Sequence, residues 1–153
     1  PVYNLEVQDE HVYYVGTNGV LAHNAGDNYQ KGSKPKYSPD LDKWIDKKGG
    51  TAWSELEGTW VYKDADGNIV RYPDGYPDFE GAGLVRQSTV IVQVPNRTTD
   101  FTDADASAPL GPRLPTNTWH HHQNMTTMQE FDSIIHWCFT HEGGYSRKKR
   151  GRE

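Results

Sequence analysis

The sequence has few of the features that hold small secreted domains together or anchor a chain in a membrane. Cys138 is its single cysteine, so the chain can form no internal disulfide and no paired-cysteine zinc site. No run approaches the roughly 18 consecutive apolar residues of a transmembrane helix, and no segment is repeated. Any metal that this chain binds is therefore expected to use histidine and oxygen ligands.

The composition nevertheless predicts a folded domain. Hydrophobic residues make up only 34% of the chain, but five tryptophans, nine tyrosines and four phenylalanines bury a large area per residue. The net charge of -5 is uneven, because residues 147–153 carry five basic residues and one acid and leave about -9 on the rest. An acidic body argues against a protein that coats nucleic acid broadly and would suit a basic partner. The basic tail is either a solvated segment or an arm that binds phosphates.

The N-terminal part divides into two segments. Residues 1–24 alternate apolar and polar side chains as short strands do, and they open at Pro1 without a methionine, which suggests a piece of a longer protein. Residues 25–37 are rich in Gly, Ser, Lys and Pro and predict a flexible connector. Ser38 then predicts a helix N-cap, with Pro39 at the first helical position.

The middle of the chain shows hairpin, strand and helix signals in turn. Residues 64–68 contain an Asp-Gly pair and predict a hairpin between strands at 60–62 and 69–72. Residues 85–94 predict a further strand. Asn96 and the residues after it predict a turn into a short helix.

Histidines are concentrated near the C-terminus. Four of the seven fall within the 17 residues from His120 to His136, and His141 follows closely. Imidazole is the commonest transition-metal ligand and the usual general base near neutral pH, so the cluster predicts a metal site, a base, or both. Residues 119–130 predict a hairpin that turns at 123–126, and residues 132 to about 140 predict a helix.

The directions in which side chains point from a strand or a helix limit which of these histidines can lie at one site. Adjacent His120 and His121 point to opposite sides of a strand, so both reach one site only if the strand is twisted or bulged. His141 lies five residues after His136, about 140° around an ideal helix. The pair at 143–144, Gly-Gly, predicts that the helix has ended, which lets His141 reach back from the C-terminal turn.

These segments resemble the WHH family of the HNH/endonuclease VII nuclease superfamily. The residues that carry the resemblance are Thr118-Trp119-His120-His121, Thr127-Met128-Gln129, His136 and His141-Glu142-Gly143-Gly144. Upstream, the family's preceding region is similar to Trp60, Asp66-Gly67, Val70, residues 72–79 and residues 96–101. The likeness covers roughly residues 58–146.

The resemblance implies an α+β fold with a ββα-metal (His-Me finger) nuclease core, preceded by an additional β-hairpin or strands and short helices. It also implies roles for particular residues. His120, His136 and His141 would bind one divalent metal ion, which could be zinc, nickel, manganese or magnesium, and His121 would be the general base. Gln129 falls where the superfamily has an asparagine, and its amide could hold the base by hydrogen bonding.

Other polar residues near these motifs have more than one interpretation. Arg97 is a candidate phosphate clamp because arginine offers a bidentate fork, with a scaffold salt bridge as the alternative. His122 would face the same side as His120 and is expected to be a neighbour of the site, with a phosphate contact or an alternative ligand as other options. Asp78 and Asp100 could assist the metal or hold a ligand imidazole, but aspartate in such loops usually forms turns, and structural roles are expected.

Three tryptophans lie beside strand and helix signals. We expect Trp60, Trp119 and Trp137 to be buried anchors of the core, because an indole in such a position normally packs inside. The alternative role, a platform on which a nucleobase stacks, is the less expected of the two.

The first 26 residues carry a second resemblance, to the end of a pretoxin Hint domain. It rests on Val2 to Val7, His11 to Val15 and Leu21 to Asn24. In that family a His-Asn pair, here His23-Asn24, ends a self-cleaving module. Asn24 would cyclise and release a toxin beginning at Ala25, and without the catalytic start of the module this remnant would be inert.

The two resemblances together imply four segments: a Hint remnant at 1–26, a linker and short helix at 27–57, a nuclease toxin domain at 58–146 and a basic tail at 147–153. The implied protein is part of a larger secreted bacterial toxin. It would be delivered into competitor cells, hydrolyse DNA in their cytoplasm and be neutralised in the producer by a cognate immunity protein. Two other functions stay open, namely a metal-dependent ribonuclease and a zinc-stabilised module that binds without catalysis.

Overall fold

The computed structural model describes residues 12–15, 20–23, 36–55, 59–94 and 96–151. They form a mixed α+β structure of small antiparallel sheets and short helices, which confirms the predicted class. Strands β1 (Val12–Val15) and β2 (Val20–His23) pair in antiparallel fashion, as the alternation in this segment predicts. His23 closes β2, whereas Asn24 and the predicted connector up to residue 35 lie outside the described residues.

Helix α1 (Leu41–Lys48) begins later than the sequence predicts. Its N-cap is Asp40 and not Ser38, because the Asp40 carboxylate accepts a hydrogen bond from a backbone N–H of the first turn at 3.1 Å. Ser38 is buried instead, and its Oγ accepts a hydrogen bond from the Tyr62 hydroxyl at 3.3 Å. Gly49 ends the helix with a φ of 64°, a conformation that glycine adopts without steric cost.

The first three-stranded sheet contains β3 (Thr51–Ser54), β4 (Trp60–Lys63) and β5 (Ile69–Tyr72) in that order, all antiparallel. The predicted hairpin between β4 and β5 is confirmed. Its turn is held by the Asp64 carboxylate, which accepts hydrogen bonds from two backbone N–H groups of the turn, and Gly67 takes a φ of 93° there.

The second three-stranded sheet carries the histidine-rich hairpin. Strands β6 (Gln87–Val90), β7 (Asn117–His121) and β8 (Thr127–Asp132) lie in the order β6-β8-β7, with both pairings antiparallel. Pairing between β7 and β8 is regular over all five residue pairs, so this stretch contains no bulge. Within the described part of the chain, β7 is an edge strand of its sheet.

Three further α-helices lie between or after the strands of the second sheet. Helix α2 (Arg97–Ser107) begins after Asn96, whose side chain caps its first turn, as predicted. Helix α3 (Ser133–Cys138) follows β8 directly with Asp132 as its N-cap and is shorter than predicted. Helix α4 (Gly144–Lys149) contains the start of the basic tail. Among the described residues, no helix combines the length and the apolar character that crossing a membrane requires.

Two buried clusters form the core. The larger cluster contains Leu41, Trp44, Tyr62, Val70, Tyr72, Phe79, Phe131 and Phe139. The smaller cluster contains Ile91, Ala104, Trp119 and Met128. Because each fully buried side chain of this size stabilises the fold by about 1.5–3 kcal/mol, helix α1 is an integral part of the core, although it lies in the segment predicted as a linker with a short helix. The larger cluster holds β8 and the chain after α3 in place.

Candidate functional site

The edge position of β7 lets two adjacent histidines border one cleft. His120 and His121 point to opposite faces of the sheet. The His120 ring packs against Phe79, with ring centroids 5.1 Å apart, and the His121 ring stacks on Phe101 of α2 at 5.7 Å. Both line the same cleft of about 430 Å³, because side chains from either face are accessible along a sheet edge. The strand needs no bulge for this, because its edge position brings both side chains to the cleft.

Three histidines converge at this edge. One ring nitrogen from each of His120, His136 and His141 lies within 4.8 Å of the other two, and Nε2 of His141 is 3.0 Å from Nδ1 of His120. A transition metal bound to imidazole at about 2.0–2.1 Å spaces tetrahedral ligands about 3.4 Å apart. These three residues, called the histidine cluster below, are therefore close enough to bind one metal ion.

His141 reaches the cluster from beyond the end of α3, as predicted from its spacing. Helix α3 ends at Cys138, and the Nδ1 atom of His141 lies 2.8 Å from the backbone carbonyl oxygen of Phe139. A carbonyl only accepts hydrogen bonds, so Nδ1 carries the proton. The Nε2 atom therefore keeps its lone pair and presents it to the other two histidines.

The pair Gly143-Gly144 has a different role from the predicted one. Helix α3 has already ended before this pair, and neither glycine is among the residues with positive φ. A Cβ atom at Gly143 would lie 2.9 Å from the carbonyl oxygen of His121, and one at Gly144 would lie 2.2 Å from that of His122. The glycines are required because the segment after His141 passes so close to the end of β7.

Burial keeps the histidine cluster neutral. It lowers the pKa of His120 well below the usual value, and the neighbouring histidines lower it further. Burial lowers the pKa of His136 to about 3, assisted by His141 and Arg97. Burial also lowers the pKa of His141, although its hydrogen bond to the Phe139 carbonyl opposes the shift. Neutral imidazole is the form that binds metal, so the cluster is ready to bind at neutral pH.

Gln129 lies next to the histidine cluster. It pairs directly with His120 across β7 and β8, whereas Met128 lies opposite His121. The Nε2 atom of His120 and the Oε1 atom of Gln129 are both buried, and neither has a hydrogen-bond partner in the described part of the chain. The Gln129 amide donates to Glu80 at 3.4 Å. The register thus places Gln129 beside the metal-ligand candidate and not opposite the predicted base.

His121 forms a buried pair with Asp100, a residue for which the sequence predicts a structural role. The Nε2 atom of His121 is 2.9 Å from Oδ2 of Asp100, whose side chain is 0% exposed. The other oxygen of Asp100 accepts a hydrogen bond from the Val94 N–H at 2.7 Å. Burial lowers the pKa of His121, and the hydrogen bond to Asp100 opposes this. A carboxylate on Nε2 leaves the lone pair on Nδ1.

Arg97 lines the same cleft from the first turn of α2. Its Cζ atom lies 4.7 Å from the centroid of the Tyr145 ring, and its charge lowers the pKa values of His121 and His136. None of the ion pairs among the described residues includes Arg97. The alternative role of Arg97, a scaffold salt bridge, is therefore not found among these residues, and the guanidinium fork is available to an anion.

Other predicted neighbours of the site lie outside the histidine cluster. The His122 ring centroid is 6.4 Å from that of His120, and His122 is not one of the three convergent histidines. Asp78 forms a turn, as expected, and accepts a hydrogen bond from a backbone N–H at 2.7 Å. At the start of the basic tail, Arg147 donates to a backbone carbonyl at 3.0 Å and Arg150 pairs with a carboxylate.

The tryptophans divide between core and cleft. Trp119 is buried, as predicted, and its indole N–H donates to Asp105 at 2.8 Å. Trp60 packs against the larger core cluster. The prediction for Trp137 is wrong, because its side chain is 74% exposed and borders the cleft. Helix α3 has only six residues, and Ile134 on the same helix is also strongly exposed.

Comparison with known proteins adds no assignment. Neither a family model nor a curated protein matches this chain. What the cleft can do is therefore judged from its own residues: three convergent imidazoles, a His-Asp pair and an arginine without an ion-pair partner among the described residues.

Proposed function

We propose that this chain is a metal-dependent endonuclease that hydrolyses phosphodiester bonds of DNA, with β7, β8 and α3 as its ββα-metal core. The proposal is supported by the set of side chains that meet at one cleft. Along the β7 edge it combines the histidine cluster, the His121–Asp100 pair and Arg97. Phosphodiester hydrolysis needs a Lewis acid, a base for water and a contact for the phosphate, and these groups supply one of each.

The residues divide the chemistry as follows. Nδ1 of His121 takes a proton from water, and the Asp100 carboxylate stabilises the imidazolium that results. The water oxygen attacks phosphorus and the opposite P–O bond breaks. One product end carries the phosphate monoester, and the leaving oxygen takes a proton from solvent to become the hydroxyl end. Arg97 holds the non-bridging phosphate oxygens. A divalent ion bound by the histidine cluster supplies Lewis-acid stabilisation of charge on the phosphate and the leaving oxygen.

The ligand count favours catalysis over a purely structural zinc site. Structural zinc normally has four protein ligands, whereas catalytic zinc has three and keeps one position open. Among the described residues, the convergent group contains three histidines and no fourth His, Cys, Asp or Glu. Three imidazoles also suit zinc or nickel better than manganese or magnesium, which prefer oxygen ligands.

The biological setting is proposed from the motif order. A WHH-type nuclease that follows a Hint remnant is consistent with a toxin domain, released from a larger secreted polypeptide and delivered into competitor bacteria. DNA in the target-cell cytoplasm would be its substrate, and a cognate immunity protein would protect the producer. Nothing in the cleft distinguishes the sugar of DNA from that of RNA, so the ribonuclease alternative is decided by experiment.

The direct test incubates the full chain with supercoiled plasmid and, separately, with total RNA. Chelator should abolish cleavage, and zinc, nickel or manganese should restore it. Cleavage of RNA alone would replace the proposal with a ribonuclease. Cleavage of neither substrate, together with unfolding on chelation, would instead indicate a metal-stabilised binding module.

Three single-residue variants assign the roles. We expect His121→Ala to lose cleavage and keep bound metal, whereas His136→Ala should lose both. His122→Ala is the matched control, because it removes a third histidine of the same run that lies outside the histidine cluster. Equal metal loss in the His121 and His136 variants would refute the assignment of the base.

A further inference from the structure

An exposed indole borders the cleft immediately beside the histidine cluster. Trp137 follows His136 on α3, and its side chain is 74% exposed, whereas Trp44 and Trp119 are each 1% exposed. A large aromatic side chain normally buries, and leaving one in solvent beside a polar cleft forgoes that stabilisation. An exposed indole at a cleft rim offers a flat face on which a ring of a bound molecule can stack.

The charges around this indole favour an anionic occupant with flat rings. The Lys48 ammonium lies 5.1 Å from the centroid of the Trp137 ring and also donates to the Cys138 carbonyl. Arg97 lines the same cleft as Trp137. A nucleic-acid strand fits both features, because its bases stack on aromatic rings while its phosphates contact cations.

We propose that Trp137 stacks on a nucleobase next to the scissile phosphate, so that the cleft takes single-stranded or locally unpaired DNA in preference to intact duplex. In a duplex both faces of each base are already stacked, and an indole must first displace a neighbour at a cost of a few kcal/mol. This inference rests on the proposed nuclease function and adds the class of substrate.

A protein partner fits this surface less well. A stable protein interface buries roughly 800 Å² on each side, and the strongly exposed apolar side chains of α3 are Ile134 and Trp137 alone. Trp137 also lines the cleft of the proposed chemistry, whereas Ile134 does not. The same helix therefore offers a matched control, with 74% exposure at both positions.

The test measures binding without cleavage. The full chain carrying His121→Ala is loaded with zinc, and fluorescence anisotropy follows a labelled strand of about eight deoxythymidines and a duplex of about twice that length. We expect Trp137→Ala to weaken binding of the single strand about tenfold. Trp137→Phe should lose less, and Ile134→Ala should stay within about twofold. Metal-free protein with native His121 serves as a second background, in which Asp100 keeps its partner.

The outcomes separate this inference from the proposed function. Plasmid cleavage by the unmodified protein, with no change in strand affinity in Trp137→Ala, would overturn the stacking role and leave the nuclease intact. An equal effect of Ile134→Ala, or equal weakening for strand and duplex, would also overturn it. Selective loss of strand binding in Trp137→Ala, together with plasmid cleavage by the unmodified protein, supports the inference. The same loss in a protein that cleaves nothing would support the stacking contact alone and refute the nuclease proposal.

Discussion

Nε2 of His121 lies 2.9 Å from Oδ2 of Asp100, and the carboxylate is fully buried. The pair connects the end of β7 with the first turn of α2, two elements that are 21 residues apart at this contact. Because the other carboxylate oxygen is held by the Val94 N–H, Asp100 has little freedom to turn away. The ring of His121 is therefore held with Nδ1 as the nitrogen that can accept a proton.

Replacing Asp100 should impair catalysis more than metal binding. Asp100→Asn keeps the shape of the side chain but removes the negative charge that stabilises a protonated His121, so we expect kcat to fall by about 100-fold or more. KM and metal content should change little. The measurements are steady-state cleavage of a defined oligonucleotide and metal analysis of the purified variant.

Asp103 provides the control for this variant. It lies on the same helix and is exposed, so Asp103→Asn should cleave at the normal rate. If Asp100→Asn raises KM and leaves kcat unchanged, the positioning role of Asp100 is contradicted.

The role of Gln129 can be determined by measuring metal affinity and cleavage rate separately. His120 has a buried Nε2 without a partner among the described residues, and Gln129 lies directly opposite. The Nε2 atom of His120 and the Oε1 atom of Gln129 form no hydrogen bond with each other in this structure. When metal is bound we expect the Nε2–H of His120 to donate to the Gln129 oxygen, because metal-bound histidines normally donate their second N–H to an oxygen, and losing such an acceptor costs about 10–100-fold in metal affinity. We expect that loss in Gln129→Leu, measured by competition with a chromogenic chelator.

The conservative variant distinguishes the two interpretations of Gln129. Gln129→Glu keeps an acceptor and should retain most of the metal affinity. If Gln129 instead held the base, as the sequence predicts, Gln129→Leu would bind metal normally and lose only rate.

Arg97 should contribute to substrate binding and to the transition state. Arg97→Ala removes the cleft's guanidinium, and we expect kcat/KM to fall by about 100-fold, with Arg97→Lys intermediate because an ammonium cannot form the bidentate contact. The variant should also show a weaker salt dependence of binding. Arg71→Ala is the control, since Arg71 pairs with Glu55 beside the first sheet and lies outside the cleft. Unchanged kcat/KM in Arg97→Ala would remove Arg97 from the site.

Glu130 should stabilise the fold without taking part in the chemistry. Its fully buried carboxylate accepts hydrogen bonds from the Leu114 N–H at 2.9 Å, from Asn117 at 2.8 Å and from Arg86 at 2.6 Å, as well as from Gln87. Glu130→Gln leaves Arg86 without its partner and changes an acceptor into a donor. We expect unfolding in denaturant at pH 7 to require about 2–4 kcal/mol less free energy.

The same carboxylate predicts the direction of an acid effect. Burial alone would raise the pKa of Glu130, but the hydrogen bonds from Leu114, Gln87, Asn117 and Arg86 outweigh it and lower the pKa below 4.5. A lowered pKa in the folded state means that the stabilisation is complete above the unfolded value and is lost as pH falls through the folded value. The difference in free energy of unfolding between Glu130→Gln and the unmodified protein should therefore shrink below about pH 4.5. A difference that grows on acidification would contradict this sign.

Local signals predicted local structure well and buried contacts poorly. The Asp-Gly turn, the Asn96 cap and the histidine-rich hairpin all lie where the pattern places them, because each depends on residues a few positions apart. The prediction of Ser38 as the N-cap is wrong, because Asp40 caps the helix and Ser38 accepts a hydrogen bond from the Tyr62 hydroxyl. The prediction that Trp137 is buried is wrong, because hydrophobicity does not reveal which face of a short helix is covered.

The sequence by itself predicted the α+β class, the two hairpins and a histidine-rich site near the C-terminus, and the family resemblance added the set His120, His136 and His141, which the structure brings together. Only the tertiary structure decided that β7 is an edge strand, that Asp100 contacts His121 and that Arg97 lines the same cleft. The physical reason is the range of the interactions. Periodicity and capping act within a few residues, whereas the partner of a buried histidine depends on how α2 packs against the sheet.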